Sequence, residues 1–336
     1  MSRTTANIVH QESGIALFIV IWVLVLLSVI VGEFCYSMRT ELNLTRNFKE
    51  ETQGYYIALA GVNKAIYELL IKEYNSHPLE NNSNIWRVNV KTPEIAFNNG
   101  DYQVQIDNES GKININQAEG PLIWMILGRL GLEKKKKEII IDSIKDWRDE
   151  DSFHRINGAE DDYYENQAEP YSCKDAQFDS PVELLYVRGI TKEIYYGGLD
   201  KICSVYGKID FNADNITSDR NNLINEQTFD YSKININAAS KDMLLCFPDM
   251  TETVADEIIA YRQTKDFRYL AELLKIVDND LYRKMFHYIT LDMTAYYRIT
   301  STGKISGSDN EGKVIVLIQL DNGTEKGYRI LEWHEC

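Results

Sequence analysis

The stretch "IALFIVIWVLVLLSVIVGEFCYSMRTELNLTRNFKEETQGYYIALAGVNKAIYELLIKEY" runs from Ile15 to Tyr74 without a proline. Its first part, Ile15 to Gly32, is eighteen residues with no charge, long enough to be a membrane-helix candidate. A secretory signal would end in a small-residue cleavage site. None follows Val31, and the helical pattern continues towards Pro78. A helix of this length reaches roughly 90 Å at about 1.5 Å per residue, half of it in lipid. In its second half Ile57, Val62, Ala65, Ile66, Leu69 and Leu70 recur at helical spacing, so that face is predicted to support a globular head. Gly54 and Gly61 weaken the helix locally, and continuity through them has to be tested.

Beyond the helix, "DYQVQIDNES" (Asp101 to Ser110) alternates apolar and polar residues, the period of a half-buried strand. From Tyr296 to Trp333 the same alternation returns around the turn-rich segments "SGSDNEG" and "DNGTEKG", which predicts three strands joined by two hairpins. The fold class is therefore α+β, a long helix covered by an antiparallel sheet. Between the two strand regions lie about 175 helix-patterned residues, too many for a loop within a compact domain, so an inserted all-α domain is expected.

The insertion contains one pentapeptide twice. "KININ" occupies Lys112 to Asn116 and again Lys233 to Asn237, each time ahead of a helix, a turn and a second helix. A later "ELL" follows in both copies, in "PVELLYVRGITKEIYYGGLDKICSVYG" and in "LAELLKIVDNDLYRKMFHYITL". This is an internal repeat, with units at about 112–207 and 233–290 and a polar linker at 210–232. KININ reads as an extended lead-in with buried Ile side chains, its Asn116 or Asn237 placed to cap the next helix. The second copy resembles a helix-hairpin-helix unit, a fold often seen on DNA. Its turn, however, reads Phe247, Pro248, Asp249, Met250, with a carboxylate where a phosphate would sit. Between residues 233 and 290 there are eight Lys or Arg against nine Asp or Glu, and the whole chain carries −15. Lys134 to Lys137 are flanked by Glu133 and Glu138 and read as a solvated face. No nucleic acid is expected. The five cysteines form no C-x-x-C pair, and no H-E-x-x-H, G-x-S-x-G or Walker loop occurs, so the chain is not expected to be an enzyme.

A short polar leader, "MSRTTANIVHQESG", ends in Gly14 against the apolar run. With the continuous helix and the β-rich C-terminus, this pattern resembles a type IV prepilin or a type II secretion pseudopilin. The order D-W-x-D-x-D, G-A-E-D-D-Y-Y, P-Y and S-P-V-E-L-L from Asp146 onward is similar to the inserted helical domain of the K-type minor pseudopilins (general secretion pathway protein K family). The resemblance implies processing between Gly14 and Ile15 by a prepilin peptidase. It also implies a role for position 19. Most pseudopilins carry Glu at the fifth mature position, which here is Ile19, and its absence is typical of the subunit that caps the filament. A carboxylate at membrane depth costs about 2.5–3.5 kcal/mol and needs a partner; Ile19 needs none.

The implied organisation is a leader at 1–14, a transmembrane helix at 15–32, a pilin-like helix with the first strands at 33–116, the inserted helical domain at 117–292 and completing strands at 293–336. The implied function is that of a tip subunit assisting pseudopilus assembly and protein export. It would be single-pass in the bacterial inner membrane with a periplasmic head. Its partners would be other minor pseudopilins, the prepilin peptidase and the inner-membrane secretion platform. The alternative is a minor pilin tip of a type IV pilus-like or DNA-uptake system, its hairpins contacting DNA.

Six acids, Asp146, Asp149, Asp151, Glu160, Asp161 and Asp162, fall within seventeen residues. Their spacing does not match an EF-hand, and an acidic surface loop explains them equally well. Resemblance to the K-type family, whose helical domain binds calcium, favours a calcium site with Asp149, Asp151, Glu160, Asp161 and Asp162 as ligands. A periplasmic location would also permit a disulfide. Cys173 with Cys203 would enclose about thirty residues, worth about 3–4 kcal/mol in the loop-entropy model; buried free cysteines are the alternative.

Overall fold

The computed structural model describes residues 12–74, 86–207 and 230–335. Helix α1, Glu12–Tyr74, is continuous through both glycines. Residues 15–44 are exposed on every side, whereas Ile57, Ala58, Val62, Ala65, Ile66 and Leu69 are buried against a sheet. That sheet contains β1 (Ile95–Phe97), β2 (Gly100–Asn108), β7 (Tyr296–Ile305), β8 (Glu311–Leu320) and β9 (Tyr328–Glu335), in the order β1-β2-β7-β8-β9. Every neighbouring pair is antiparallel. Alternation along β2 sends Tyr102, Val104 and Ile106 into the core and leaves Gln103 and Gln105 half-buried, as a period of two requires.

The glycines that weaken α1 turn out to be its contact points. Gly303 and Gly312 face each other across β7 and β8, and Gly54 lies on them. A Cβ on Gly54 would stand 2.8 Å from the Gly312 nitrogen, and one on Gly303 would stand 2.4 Å from the Ala58 nitrogen. Helix backbone and strand backbone therefore touch with no side chain between them. Gly61 differs: it leaves room for side chains of the sheet, those of Ser301, Tyr102 and Val104.

The chain between β2 and β7 forms a second core. The first KININ copy supplies β3 (Ile113–Asn114) and is followed by α2 (Gly120–Arg129) and α3 (Lys134–Arg148). After α4 (Asp161–Tyr164), a 3-10 turn at Pro181–Tyr186, and short helices α5 (Lys192–Ile194) and α6 (Asp200–Ile202), β4 (Cys203–Ser204) pairs parallel with β3. The second copy supplies β5 (Ile234–Asn235), α7 (Lys241–Leu244), α8 (Glu252–Thr264), a 3-10 turn at Leu270–Lys275 and α9 (Asn279–Phe286), and β6 (Ile289–Thr290) pairs parallel with β5. Side chains of both units, among them Ile113, Ile115, Ile234 and Ile236, share one buried cluster, separate from that between α1 and the sheet.

The asparagines correct the expectation of helix caps. The side chain of Asn116 reaches across the chain and pairs with the backbone of Phe178, accepting its N–H at 2.7 Å and donating to its carbonyl at 2.9 Å. Asn237 does the same to Phe267, at 2.9 and 3.0 Å. The cap of α7 is Ser240, which accepts the Met243 N–H at 3.1 Å, and α2 has no side-chain cap. The repeat extends to two arginines. Arg148 donates to the Ile115 carbonyl at 2.5 Å and Arg262 to the Ile236 carbonyl at 2.7 Å, so each unit ties its lead-in to the end of its long helix.

Candidate functional site

The periodicity of α3 buries Ile140, Ile144 and Trp147, and on its last turn Asp146 goes under with them. A carboxylate taken out of water costs several kcal/mol unless it is partnered. Arg155 is the partner: its backbone N–H lies 3.1 Å from Asp146 Oδ2 and its Nη1 2.6 Å from Oδ1. The same Nη1 reaches Asp149 Oδ2 at 2.6 Å. Burial still outweighs these bonds, and the Asp146 carboxyl titrates above its ordinary value. Gly158 closes over Asp146; a Cβ there would fall 1.7 Å from Oδ2, so no larger residue fits. Arg188 holds the Gly158 carbonyl at 2.8 Å and lies over the Tyr163 ring, 4.6 Å from its centroid. Beneath the loop Trp147, Tyr164, Tyr171 and Phe178 pack ring on ring.

Glu160, Cys173 and Asp175 meet beside this ion pair, with one ligand atom from each lying within 4.8 Å of the others. Glu160 is 3% exposed, and among the described residues its carboxylate meets no donor but the Cys173 thiol. Asp149 Oδ1 and Asp175 Oδ1 are buried without a hydrogen-bond partner. Desolvation pushes the Glu160 carboxyl up to about 7, with the charges of Asp175, Asp146 and Asp149 adding to the shift. Burial also raises the Cys173 thiol. Glu160 and Asp175 gathered at one place, with the charge of Asp149 felt there, are a donor set that a cation satisfies, so these residues fit a bound metal.

The expected ligands divide. Glu160 belongs to the group, whereas Asp149 lies outside it, its Oδ2 on Arg155 and its Oδ1 buried without a hydrogen-bond partner. Asp161 Oδ1 instead accepts the Cys173 N–H at 2.7 Å, and the exposed Asp151 accepts the Phe153 N–H at 2.9 Å. Asp162 is also exposed, and its main-chain carbonyl accepts from Asn166 at 2.6 Å. Asp175 and Cys173 were not among the expected ligands. They follow Glu160 by 15 and 13 residues in no recognised spacing. The single local cue is the positive φ of Asp175, 49°, a conformation that Asp and Asn tolerate better than most residues. The Cys173–Cys203 disulfide is not formed, and both cysteines are free thiols. Cys173 faces the Glu160 carboxylate, whereas Cys203 is buried on β4 opposite Ile113, each held by its own part of the core.

Elsewhere, α1 is the one helix among the described residues long and apolar enough to cross a membrane. Ile15 and Ile19 are exposed on it, at 63% and 54%. Most of the expected leader, 1–14, lies outside the described residues, as does most of the linker at 210–232. At the helix-hairpin-helix turn Asp249 adopts a φ of 63°, and its carboxylate is 2.7 Å from Lys284 Nζ.

Residues 107–205 match the family model described as "Type II secretion system (T2SS), protein K", and residues 230–279 match a helix-hairpin-helix motif. The putative type II secretion system protein K of Escherichia coli (strain K12) is 23% identical over 213 residues, 58% of this chain and 63% of that one. The protein K of Pectobacterium carotovorum subsp. carotovorum is 30% identical over 110 residues, 33% of each chain, and that of Aeromonas hydrophila 22% identical over 214 residues, 58% of this chain and 64% of that one. The chain thus spans just under two thirds of the Escherichia coli and Aeromonas proteins. In fold it is similar to a chain of the crystal structure of the GspK-GspI-GspJ complex from the enterotoxigenic Escherichia coli Type 2 Secretion System. The TM-score is 0.56 at 15% identity, covering 87% of this chain and 99% of that one. The first repeat unit with its acidic loop lies within the first of these matches and the second lead-in within the other, so the chain resembles the type II secretion system protein K family in sequence over its inserted helical domain and in fold over most of its length.

Proposed function

We propose that this protein is a minor pseudopilin at the tip of a type II secretion pseudopilus, where it assists filament assembly and protein export rather than catalysing a reaction. The observation that carries the reading is the bare apolar half of α1 rigidly joined to a sheet that bears a bulky helical insertion. The bare half suits lipid and then the helices of neighbouring subunits. The insertion widens the head beyond what regular stacking admits, so this subunit fits the end of a filament. The chain would be anchored in the bacterial inner membrane with its head in the periplasm, processed between Gly14 and Ile15 by a prepilin peptidase and extracted through the inner-membrane platform. Ile19, with no charge to neutralise, suits a subunit with nothing above it. By analogy with the complex of the structural relative, its partners would be two other pilin-like minor subunits.

Calcium is the cation proposed for the acidic loop. Asp149, Glu160 and Asp175 would hold it, with Asp151, Asp161 and Asp162 near enough in sequence to contribute. The ion would supply charge neutralisation, and the chain's own part is to bring three carboxylates from separate segments into one buried place. The DNA-uptake alternative is not favoured, because Asp249 occupies the hairpin turn and is already paired with Lys284. The test is co-purification of the detergent-solubilised full chain with candidate minor pseudopilins from the same genome. A stoichiometric complex is expected. Failure with every candidate, together with salt-sensitive retention on DNA, would overturn the proposal.

A further inference from the structure

The two repeat units carry the same hairpin with opposite charge. In each, one residue of positive φ turns the chain between the paired helices, Gly131 at 64° in the first and Asp249 at 63° in the second. The second hairpin neutralises itself. Asp249 meets Lys284 at 2.7 Å, Thr251 caps α8, and Lys241 reaches Glu252 and Asp256 at 2.8 and 2.7 Å. The first does the reverse. Its long helix α3 opens on Lys134, Lys135, Lys136 and Lys137, with no acid in the first turn and no side-chain cap from Glu133. Cations crowded at the positive end of a helix dipole cost stability. Among the described residues one carboxylate lies within ion-pair distance of them, Glu138 at 3.8 Å from Lys134; Glu193 acts on Lys136 from farther off. A local rule broken without internal compensation marks a functional surface.

The shape of the patch selects its partner. Successive residues of a helix stand about 100° apart, so four lysines in a row ring the end of α3. One face of a protein partner would meet two of them, whereas a flat anionic surface met end-on meets all four. The tip is bare enough for that approach. Nothing lies within 4 Å of a Cβ placed on Gly131, and one on Gly128 would meet only Lys137 Nζ, at 3.9 Å. Trp124 is exposed beside the tip with Lys137 over its ring, 5.0 Å from the centroid, and the exposed Tyr196 precedes Gly197, which neighbours Leu130. Lysines rimmed by Trp and Tyr suit a layer of lipid headgroups. The rest of the chain, at a net −15, would be repelled by such a layer and leaves this end as the point of contact.

The bilayer that α1 enters is out of reach. Gly100 lies against Ile57 and Gly61 against Val104, so the neck at Asn108 stands farther up α1 still. From Gly32 to Leu69 the helix rises roughly 55 Å, and the lysines stand only about 20 Å from Arg148 at the other end of α3. Arg148 is bonded to the lead-in at Ile115, so even a hairpin turned back along the stem falls short. We infer that the α2–α3 hairpin is a docking tip for the phosphate-bearing surface of an anionic phospholipid bilayer other than the one that anchors the chain. The inference rests on the reading of α1 as a membrane anchor.

The test places the full chain, by α1, in nanodiscs of neutral phosphatidylcholine and floats them with separate vesicles. The discs should rise with vesicles containing about one third phosphatidylglycerol, stay behind with pure phosphatidylcholine vesicles, and be released by high salt. Lys135→Glu combined with Lys136→Glu should weaken the association at least about thirtyfold. Should that variant misfold, Lys135→Gln at an exposed position serves in its place, with a loss of about fivefold. Lys313→Glu combined with Lys326→Glu makes the same charge change on exposed lysines of the sheet region and should leave binding nearly unchanged. Equal binding to both kinds of vesicle, or equal loss in both charge swaps, would overturn the inference, as would discs that retain DNA and ignore the vesicles. A chain that does not enter the discs removes the anchor and the inference with it. One that enters them and ignores the anionic vesicles removes the inference alone.

Discussion

Glu160 has two carboxylate oxygens, and among the described residues it offers both to nothing but an acid and a thiol. Its titration therefore reports whether a cation is there. Without one, the folded chain keeps the Glu160 proton up to about pH 7, whereas the unfolded chain releases it near 4.5. Between those values the native state holds more protons than the unfolded state, so stability falls as pH rises, by at most about 3 kcal/mol. Asp146, raised by the same burial, adds a slope of the same sign, so Glu160→Gln is the reference that isolates the residue. In chelator, urea denaturation across this range should show a steeper loss for the native chain than for Glu160→Gln, which should be the more stable of the two at pH 8. Saturating calcium should reverse that order, because a bound ion needs the ionised carboxylate. Equal slopes in all four measurements would show that Glu160 is hydrated and not part of any site.

Among the elements, α1 and the KININ lead-ins were legible to different depths. Eighteen uncharged residues followed by a helical apolar stripe are a local signal, and α1 continues as that signal requires. Alternation marked β2 and the C-terminal hairpins in the same way. The asparagines were misread because their partners are remote. Asn116 binds a backbone 62 residues away and Asn237 one 30 residues away, and local capping rules cannot see either. The acidic loop was visible as charge, but its partition was not, since Arg155, Gly158 and Asp175 matter only once the chain has folded back over Asp146. Gly54 was read as a weakness of the helix and is where α1 meets β8. Gly303→Ala places a methyl 2.4 Å from the Ala58 nitrogen and 2.5 Å from the Gly54 carbonyl. Neither neighbour is a flexible side-chain tip. Overpacking of this kind costs about 1–3 kcal/mol or more, so chemical denaturation should show a lowered midpoint with an unchanged m-value. A wild-type midpoint would mean that α1 is free to lift from the sheet.

At the scale of the whole molecule, the insertion leaves the sheet and returns to it at one place. Asn108, the last residue of β2, is in register with Tyr297 near the start of β7, and its side chain donates to the Thr294 carbonyl at 2.8 Å. Around this neck Arg298 sits between Glu109, at 3.3 Å, and Glu332, at 2.9 Å, and the Tyr206 hydroxyl donates to Glu332. Burial alone would raise the Glu109 carboxyl, but Lys112 and Arg298 outweigh it and hold it below its ordinary value. The helical units are thus fastened to the sheet by charged groups at this neck, while α1 is fastened by backbone contact. A second clasp comes from the segment before β1, where Arg87 donates to Asp266 at 2.6 Å and to the Gln263 carbonyl at 3.1 Å.

The closed neck has a mechanical meaning. While β2 and β7 stay zipped over nine residue pairs, from Gly100 with Ile305 to Asn108 with Tyr297, tension entering along α1 crosses to β7 and β8 in shear and leaves by β9. The helical units then lie beside the main load path, held to it by the neck and by the Arg87 clasp. In single-molecule pulling between a handle on α1 and one on β9, the contour length of the insertion should be released only after the sheet has ruptured. Its release in an earlier, weaker event would show that the neck opens under load. A chain built this way can be pushed and drawn by its stem while its bulky helical lobe keeps its shape.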